Sequence, residues 1–256
     1  NPTPASIGEA GERADDLDVT PYSVMVRSEI KKEIGADWVV ISETQYYIRS
    51  DCQKGEEVAY LTYNYSRPIG STDPAQIETM VNLYSGGKLA SDSTVDMYSL
   101  LDRTVVLGGE YTLAEIEDDG TGGTEKIMKS ATYYVSTSGA RGDEIADYTL
   151  NLDYNAVTDI CDGNLVPVSK IIYYYDIDPA EPGVVGHEGY RAEDVGVRFI
   201  YFNNADMPMV RTVTEYNKTF FSEDPIDYVK EAETYYYIGD GRGNEMVDYV
   251  ISYRID

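Results

Sequence analysis

An eleven-residue string occurs three times in this chain, and it constrains the fold more than any other feature. The copies are Gly55-Glu56-Glu57-Val58-Ala59-Tyr60-Leu61-Thr62-Tyr63-Asn64-Tyr65, then Gly142 to Leu152, then Gly243 to Tyr253. They share Gly-x-Glu-[Val/Ile/Met]-[Ala/Val]-x-[Leu/Tyr]-x-[Tyr/Leu/Ile]-[Asn/Ser]-[Tyr/Leu]. A tyrosine-rich apolar run precedes each: Tyr46-Tyr47-Ile48, Tyr133-Tyr134-Val135 and Tyr235-Tyr236-Tyr237-Ile238. Two apolar runs around a polar, glycine-bearing turn are the signature of a β-hairpin. The chain is therefore predicted to be a succession of hairpins.

The remaining segments fit that reading. Alternation over Thr20–Lys32 predicts a strand. Trp38–Ile48 and Val58–Tyr65 form the first hairpin. Ile77–Tyr84 is predicted as a strand, although Asp73, Pro74 and Gln76 could open a helix there. Met97–Val106 and Tyr111–Ile116 are further strand candidates. Lys126–Val135 and Ile145–Tyr154 make the second hairpin. Val166–Tyr175 starts a degenerate copy, which a long connection over 176–194 returns as Val195–Tyr201. Met209–Phe220 precedes the final hairpin. In the return strands, Tyr148, Leu150, Leu152 and Tyr154 oppose Thr149, Asn151 and Asp153. Likewise Val247, Tyr249, Ile251, Tyr253 and Ile255 oppose Asp248, Ser252 and Arg254. This predicts one buried apolar face and one wet face per strand.

Short links between successive strands impose antiparallel neighbours. A sheet this wide curls, closes or splits. The predicted fold class is thus all-β: an antiparallel up-and-down meander of roughly 11 to 13 strands, given one strand per predicted segment. It is expected to curl into a barrel or barrel-like sheet, with a two-layer β-sandwich as the alternative. Residues 1–19 read as a flexible acidic lead and 20–256 as a single domain.

The repeated Tyr-Tyr, loop, glycine hairpin resembles the tyrosine-rich wall repeats of YD-type proteins. The arrangement also resembles secreted bacterial families of unknown function described as porin-like barrels. Tyr84-Ser85-Gly86-Gly87-Lys88-Leu89 is a distant echo of the Tyr-Asp-x-x-Gly-Arg-Leu wording of such repeats. The resemblance covers about a quarter of the chain and implies a secreted β-repeat protein; it carries over no catalytic residue.

Charge narrows the function classes. The 256 residues include 20 basic and 46 acidic side chains, a net charge of −26. That charge repels phosphate backbones, so nucleic acid is not an expected partner. No run of apolar residues is long enough for a transmembrane helix. Cys52 and Cys161 could form one bridge in an oxidising compartment, and with His187 they cannot make a zinc knuckle. The acidic lead ahead of an all-β body suits an exported protein, a surface-attached lipoprotein for example.

Site candidates are few. The 25 tyrosines, against 4 Phe and 1 Trp, read first as cross-strand packing and second as a platform for carbohydrate or peptide. Gly239, Gly241 and Gly243 precede a strand, so they read as a turn rather than a phosphate cradle. His187, Glu188 and Tyr190, in and beside the long connection, are the candidate ligand-binding residues. For a metal, Asp240, Asn244 and Glu245 are the candidates, with Ca²⁺ the ion that closely spaced loop oxygens suit; otherwise no cofactor is expected. No Gly-x-Ser-x-Gly elbow supports a catalytic triad around His187. The expected function is non-enzymatic: an exported, cell-surface β-repeat protein acting as a binding or structural module. The alternatives are a glycan-binding or glycan-processing surface protein, and a barrel that carries a small apolar ligand.

Overall fold

The computed structural model describes residues 23–34, 37–49, 53–66, 76–117, 126–136, 139, 141–152, 156–157, 167–175, 189–193, 207–220, 226–237 and 245–254. The chain is all-β. The strands are β1 (Arg27–Ile34), β2 (Asp37–Tyr47), β3 (Val58–Ser66), β4 (Gln76–Tyr84), β5 (Lys88–Leu89), β6 (Leu101–Gly108), β7 (Lys126–Ser136), β8 (Glu144–Asn151), β9 (Ala156–Val157), β10 (Ser169–Tyr175), β11 (Tyr190–Arg191), β12 (Met209–Asn217), β13 (Tyr228–Tyr237) and β14 (Met246–Ser252). A short helix, α1 (Leu113–Glu117), lies between β6 and β7.

Two compact units divide the chain. The first comprises Asn1–Ser99, Thr104–Met128 and Ala156–Cys161; the second comprises Leu100–Arg103, Lys129–Asn155 and Asp162–Asp256. Within each, the long strands pair antiparallel with their neighbours in the chain, which is the expected meander. Closure into a barrel is not found: among the described residues β1 pairs only with β2, and β14 only with β13.

In the first unit the core is built on β3, β4 and β6. Leu61, Val81, Leu83, Val105 and Leu107 are fully buried there, and Tyr60 with them. Two tyrosine hydroxyls of this core are tied to carbonyls: Tyr63 donates to Tyr111 at 2.9 Å, and Tyr84 to Ala59 at 2.6 Å. Such bonds let a phenol enter a core without leaving a polar atom unsatisfied.

Two expectations need correction here. Tyr111–Ile116 is not a strand; α1 forms instead, because Thr112 and Glu115 make a reciprocal cap. Glu115 accepts from the Thr112 amide at 2.7 Å, and Thr112 Oγ1 accepts from the Glu115 amide at 3.4 Å. The strand predicted over Met97–Val106 starts later, at Leu101. Asp96 holds the preceding residues in a turn, accepting from the Tyr98 amide and the Ser99 hydroxyl at 3.0 Å each.

The three matching strings occupy equivalent places. In every hairpin the pairing register slips by one residue after the turn: at Gln45/Tyr46, Tyr133/Tyr134 and Tyr235/Tyr236. The extra residue is the sixth of the string each time, Tyr60, Asp147 or Asp248. A bulge of this kind puts two successive residues opposite one and sharpens the local twist. The register also aligns Tyr46 with Tyr134 and Tyr236, one residue off the alignment that the tyrosine pairs suggest.

The invariant glycine and glutamate of the string have physical roles. Gly55 and Gly142 turn with φ of 92° and 93°, a conformation that other residues adopt only with strain. Two residues on, the glutamate caps that glycine: Gly55 donates to Glu57 Oε2 at 2.7 Å, and Gly142 to Glu144 Oε2 at 2.6 Å. The other carboxylate oxygen reaches across the hairpin to the start of the strand before it. Met25 donates to Glu57 at 2.9 Å, Leu101 to Glu144 at 3.0 Å, and Met209 to Glu245 at 3.1 Å. Each string thus fastens three consecutive strands.

A fourth strand covers the first two copies. β4 pairs with β3 and β10 with β8. Both covering strands end in a tyrosine that donates to the fifth residue of the string, Tyr84 to Ala59 at 2.6 Å and Tyr175 to Ala146 at 2.8 Å. In the third copy, β14 has no such cover among the described residues.

The expected division into one apolar and one wet face fails in the second unit. In β8 the buried residues are Ile145, Asp147 and Thr149, while Tyr148 is only half-buried. Thr149 is tolerated inside because its hydroxyl bonds to Thr132 at 2.8 Å and to Tyr173 at 3.0 Å. β14 departs further: Val247, Val250 and Ile251 are exposed, as is Tyr253 just beyond it, as befits a strand that among the described residues is paired on one side only.

Several expectations concern residues outside those described: the lead over 1–19, Cys52, Cys161, Asp73, Pro74, the 176–188 part of the long connection, Val195–Tyr201, and the glycines of the last turn.

Candidate functional site

Cross-strand register gathers an aromatic and cationic face in the second unit. Opposed residues share a face of a sheet. One row runs Tyr133, Tyr148, Ile172, Val213, Glu233 and Ile251 across β7, β8, β10, β12, β13 and β14. A second row, two residues along, runs Tyr174, Arg211, Tyr235 and Tyr249. Threonines occupy the reverse of these strands: Thr132 opposite Thr149, and Thr212 opposite Thr234.

The rings of this face pack against each other and against cations. Tyr133 and Tyr148 stack with centroids 4.6 Å apart and planes at 20°. Tyr235 and Tyr249 stack at 4.5 Å and 15°. These are the same cross-strand pair in the second and third copies of the string, the position that Gln45 and Leu61 hold in the first. The Lys170 ammonium lies 4.3 Å from the Tyr148 ring centre, and the Arg211 guanidinium 4.0 Å from that of Tyr174. Arg103 sits 5.7 Å over Tyr133, and Lys230 5.5 Å over Tyr253. Distances of this size are within the reach of cation–π attraction.

At the centre lies Glu233, 5 % exposed. Lys230 donates to it at 2.7 Å, Tyr253 at 2.6 Å and Arg211 at 3.4 Å. Burial by itself would raise its carboxyl; the hydrogen bonds from Lys230 and Tyr253, with the charges of Lys230 and Arg211, outweigh that and hold it below its ordinary value. The bond to Glu233 in turn raises Tyr253, and it raises Lys230. Tyr148 is pushed up to about 12, first by burial and then by Tyr133 and Asp147. The Tyr148 phenol is therefore neutral, and the Glu233 carboxylate charged, through the physiological range. The face has the makings of a recognition surface: flat rings for apolar contact, and donors that are already oriented.

Of the residues singled out from sequence, Tyr190 and Glu245 are described, and both fall elsewhere. Tyr190, in β11 opposite Tyr175, packs against a cluster of Ile145, Tyr175, Ala192 and Met207. Its neighbour Arg191 pairs with Asp147 at 2.7 Å and Glu193 at 2.6 Å. His187 and Glu188 lie outside the described residues. So do Asp240 and Asn244, while Glu245 accepts from the Met209 amide, the role that Glu57 and Glu144 have in their own copies. Among the described residues no three His, Cys, Asp or Glu side chains come together to hold a metal ion. Spacing could not reveal the tyrosine–cation face, because it depends on where the bulges fall; the equivalence of Tyr148 and Tyr249 within the string was the one signal available.

A cleft in the first unit is lined by Tyr47, Arg49, Glu56, Val58, Val95 and Asp96 and holds about 140 Å³. Sites for drug-sized ligands start at about 300 Å³, so this cleft is too small for one. No helix among the described residues is long and apolar enough to cross a membrane. In comparisons with known proteins, the chain matches no family model, no curated protein and no solved structure.

Proposed function

We propose that this chain is an exported, cell-surface β-repeat protein that works by binding rather than by catalysis, and that the tyrosine–cation face of the second unit is its contact surface. The observation that supports this is the pair of tyrosine stacks, Tyr133–Tyr148 and Tyr235–Tyr249, each with a cation over a neighbouring ring. Aromatic rings that remain half-exposed are costly to leave in water and effective when covered. The resemblance to secreted tyrosine-rich repeats points the same way.

Glycan is the ligand class this surface fits best. Flat phenol rings complement the apolar faces of sugar rings, and Lys170 and the tyrosine hydroxyls supply donors for sugar oxygens. The test is affinity electrophoresis through gels containing neutral and acidic polysaccharides. Tyr148→Ala and Tyr249→Ala are each expected to weaken retardation about tenfold, the equivalent of about 1.4 kcal/mol. Retardation that both variants leave unchanged would place the contact elsewhere. An absence of retardation by every polysaccharide would remove glycan as the ligand, and newly formed reducing ends would contradict a non-catalytic role.

A further inference from the structure

The outer edge of β14 differs from every comparable edge in the molecule. In the first two copies of the string the return strand is covered, β3 by β4 and β8 by β10, through the seventh to tenth residues of the string at least. β14 is the same strand of the third copy and, among the described residues, is paired only with β13. Its side chains are apolar and open to solvent: Met246 is 62 % exposed, Val247 60 %, Val250 54 % and Ile251 39 %. β1, which also has a single neighbour, shows how an edge is ordinarily blunted. It carries Arg27, Glu29, Lys31, Lys32 and Glu33, with ion pairs from Glu29 to Arg27 at 3.2 Å and to Lys31 at 2.9 Å. β14 has only Asp248 within it and Arg254 just beyond.

The hydrogen-bonding phase of that edge is fixed. Tyr253 donates to the Glu231 carbonyl at 2.8 Å. Inward and outward groups alternate along a strand, so Tyr253, Ile251 and Tyr249 face β13. Val250, Ser252 and Arg254 then direct their amides and carbonyls away from it.

We propose that β14 is a self-association edge: two copies of this chain pair β14 against β14, antiparallel about a dyad at Ile251. This register is selected by charge. It alone sets Asp248 opposite the second copy's Arg254, twice by symmetry, and no like charges meet. Val250 then lies opposite Ser252 and exchanges two backbone hydrogen bonds with it, again twice. Ile251 meets its own symmetry mate at a non-hydrogen-bonded position. Tyr249 meets Tyr253, which carries the row Tyr174, Arg211, Tyr235 and Tyr249 on into the second molecule. The contact is isologous, so it closes at two copies. One strand edge is small beside the roughly 1,200–2,000 Å² of a stable interface, and the dimer is accordingly a reversible one.

Sedimentation velocity on the intact chain tests this, from about 1 µM to about 1 mM. A concentration-dependent monomer–dimer equilibrium is expected. Asp248→Arg sets like charges opposite each other and is expected to weaken the dimer about tenfold or more; adding Arg254→Asp restores opposite charges and most of the affinity. Ile251→Cys gives a second readout. Directly opposed Cα atoms at a non-hydrogen-bonded pair are about 4.5 Å apart, within disulfide range. Mild oxidation should therefore trap a dimer above the background of the wild type, whereas Ser252→Cys, offset from its own mate, should not. A chain that stays monomeric throughout overturns the proposal. So does growth beyond two copies, which would mean head-to-tail pairing, or equal cross-linking at both cysteine positions. Each variant alters an exposed position, and an unchanged far-ultraviolet spectrum confirms that it still folds.

Discussion

Removing the Glu233 carboxylate should be among the most damaging single changes in the second unit. Glu233 and Arg211 are 6 % and 10 % exposed at their side chains and 3.4 Å apart. Deleting one member of a buried pair leaves the other charge uncompensated and costs about 3–5 kcal/mol. Two of the partners soften that loss. Lys230 has a side chain 44 % exposed and Tyr253 is 40 % exposed, so both can turn to water at the small cost of a surface contact. Arg211 keeps the Tyr174 ring at 4.0 Å. Glu233→Ala is therefore placed at the lower end, about 3 kcal/mol. Glu233→Gln keeps the shape and one acceptor but loses the charge, for about 1.5–3 kcal/mol. Urea unfolding followed by near-ultraviolet dichroism gives both values from the midpoint at constant slope. The decisive comparison is Glu233→Ala in an Arg211→Met background, where the further loss should fall below about 1 kcal/mol, since no buried cation is then stranded. The reasoning is refuted if Glu233→Ala costs under about 1 kcal/mol alone, or the same with and without Arg211. pH supplies a control on sign. The folded carboxyl titrates below its ordinary value, so the advantage of wild type over Glu233→Gln is complete above the unfolded-state value of about 4.3 and disappears as pH falls through the folded one.

Other outcomes follow from the same geometry. Glu144→Gln should cost about 1–3 kcal/mol and, by hydrogen exchange, should deprotect the Gly142 and Leu101 amides that the carboxylate accepts from; unchanged protection at both would refute the fastening role. Gly189 has φ of 67°, and a Cβ there would lie 2.5 Å from Val210 Cγ2, so Gly189→Ala should lower stability by about 2–5 kcal/mol through left-handed strain and overpacking together. By contrast Gly142→Ala, with open space around it, should show only the strain of about 1–2 kcal/mol; equal melting temperatures for the two variants would contradict this. In an alkaline titration at 295 nm, Tyr63 and Tyr148 should ionise last, at about 12, Tyr63 held up by burial and then by Glu110. Tyr63→Phe and Tyr148→Phe should each remove one late phenol, and a titration that loses none would refute the assignment.

Much of the fold was legible because the string repeats. Its glycine and glutamate mark the turn, and the flanking tyrosines mark the strands, so the hairpins of β2–β3, β7–β8 and β13–β14 could be placed from sequence. The meander followed from the short links. What could not be read was the phase of burial. Thr149 and Asp147 look like solvent-facing residues by type, yet they lie inside: Thr132 and Tyr173 satisfy the Thr149 hydroxyl, and Arg191 pairs with one oxygen of Asp147. Partners of that kind lie 17 to 44 residues away in the chain, beyond any local pattern. The Thr112–Glu115 cap was present in the sequence and outvoted by the surrounding strands. Tyr190 was chosen for its place beside the long connection; position along the chain says nothing about which cluster a ring joins. The tyrosine–cation face was hidden for a related reason: Arg211 and Tyr235 are unremarkable apart and meaningful only in register.

The register slip at the sixth residue of each string makes that residue an interchangeable socket. The register on either side of the slip is set by the paired strand of the hairpin, so what fills the socket differs while the hairpin around it stays the same. Tyr60 plugs a core, Asp147 anchors a salt bridge, and Asp248 stands at an open margin. A single scaffold has in this way been put to three uses by changing one side chain. Of the three, the exposed Asp248 is the one at which new contacts could be engineered with least risk to the fold.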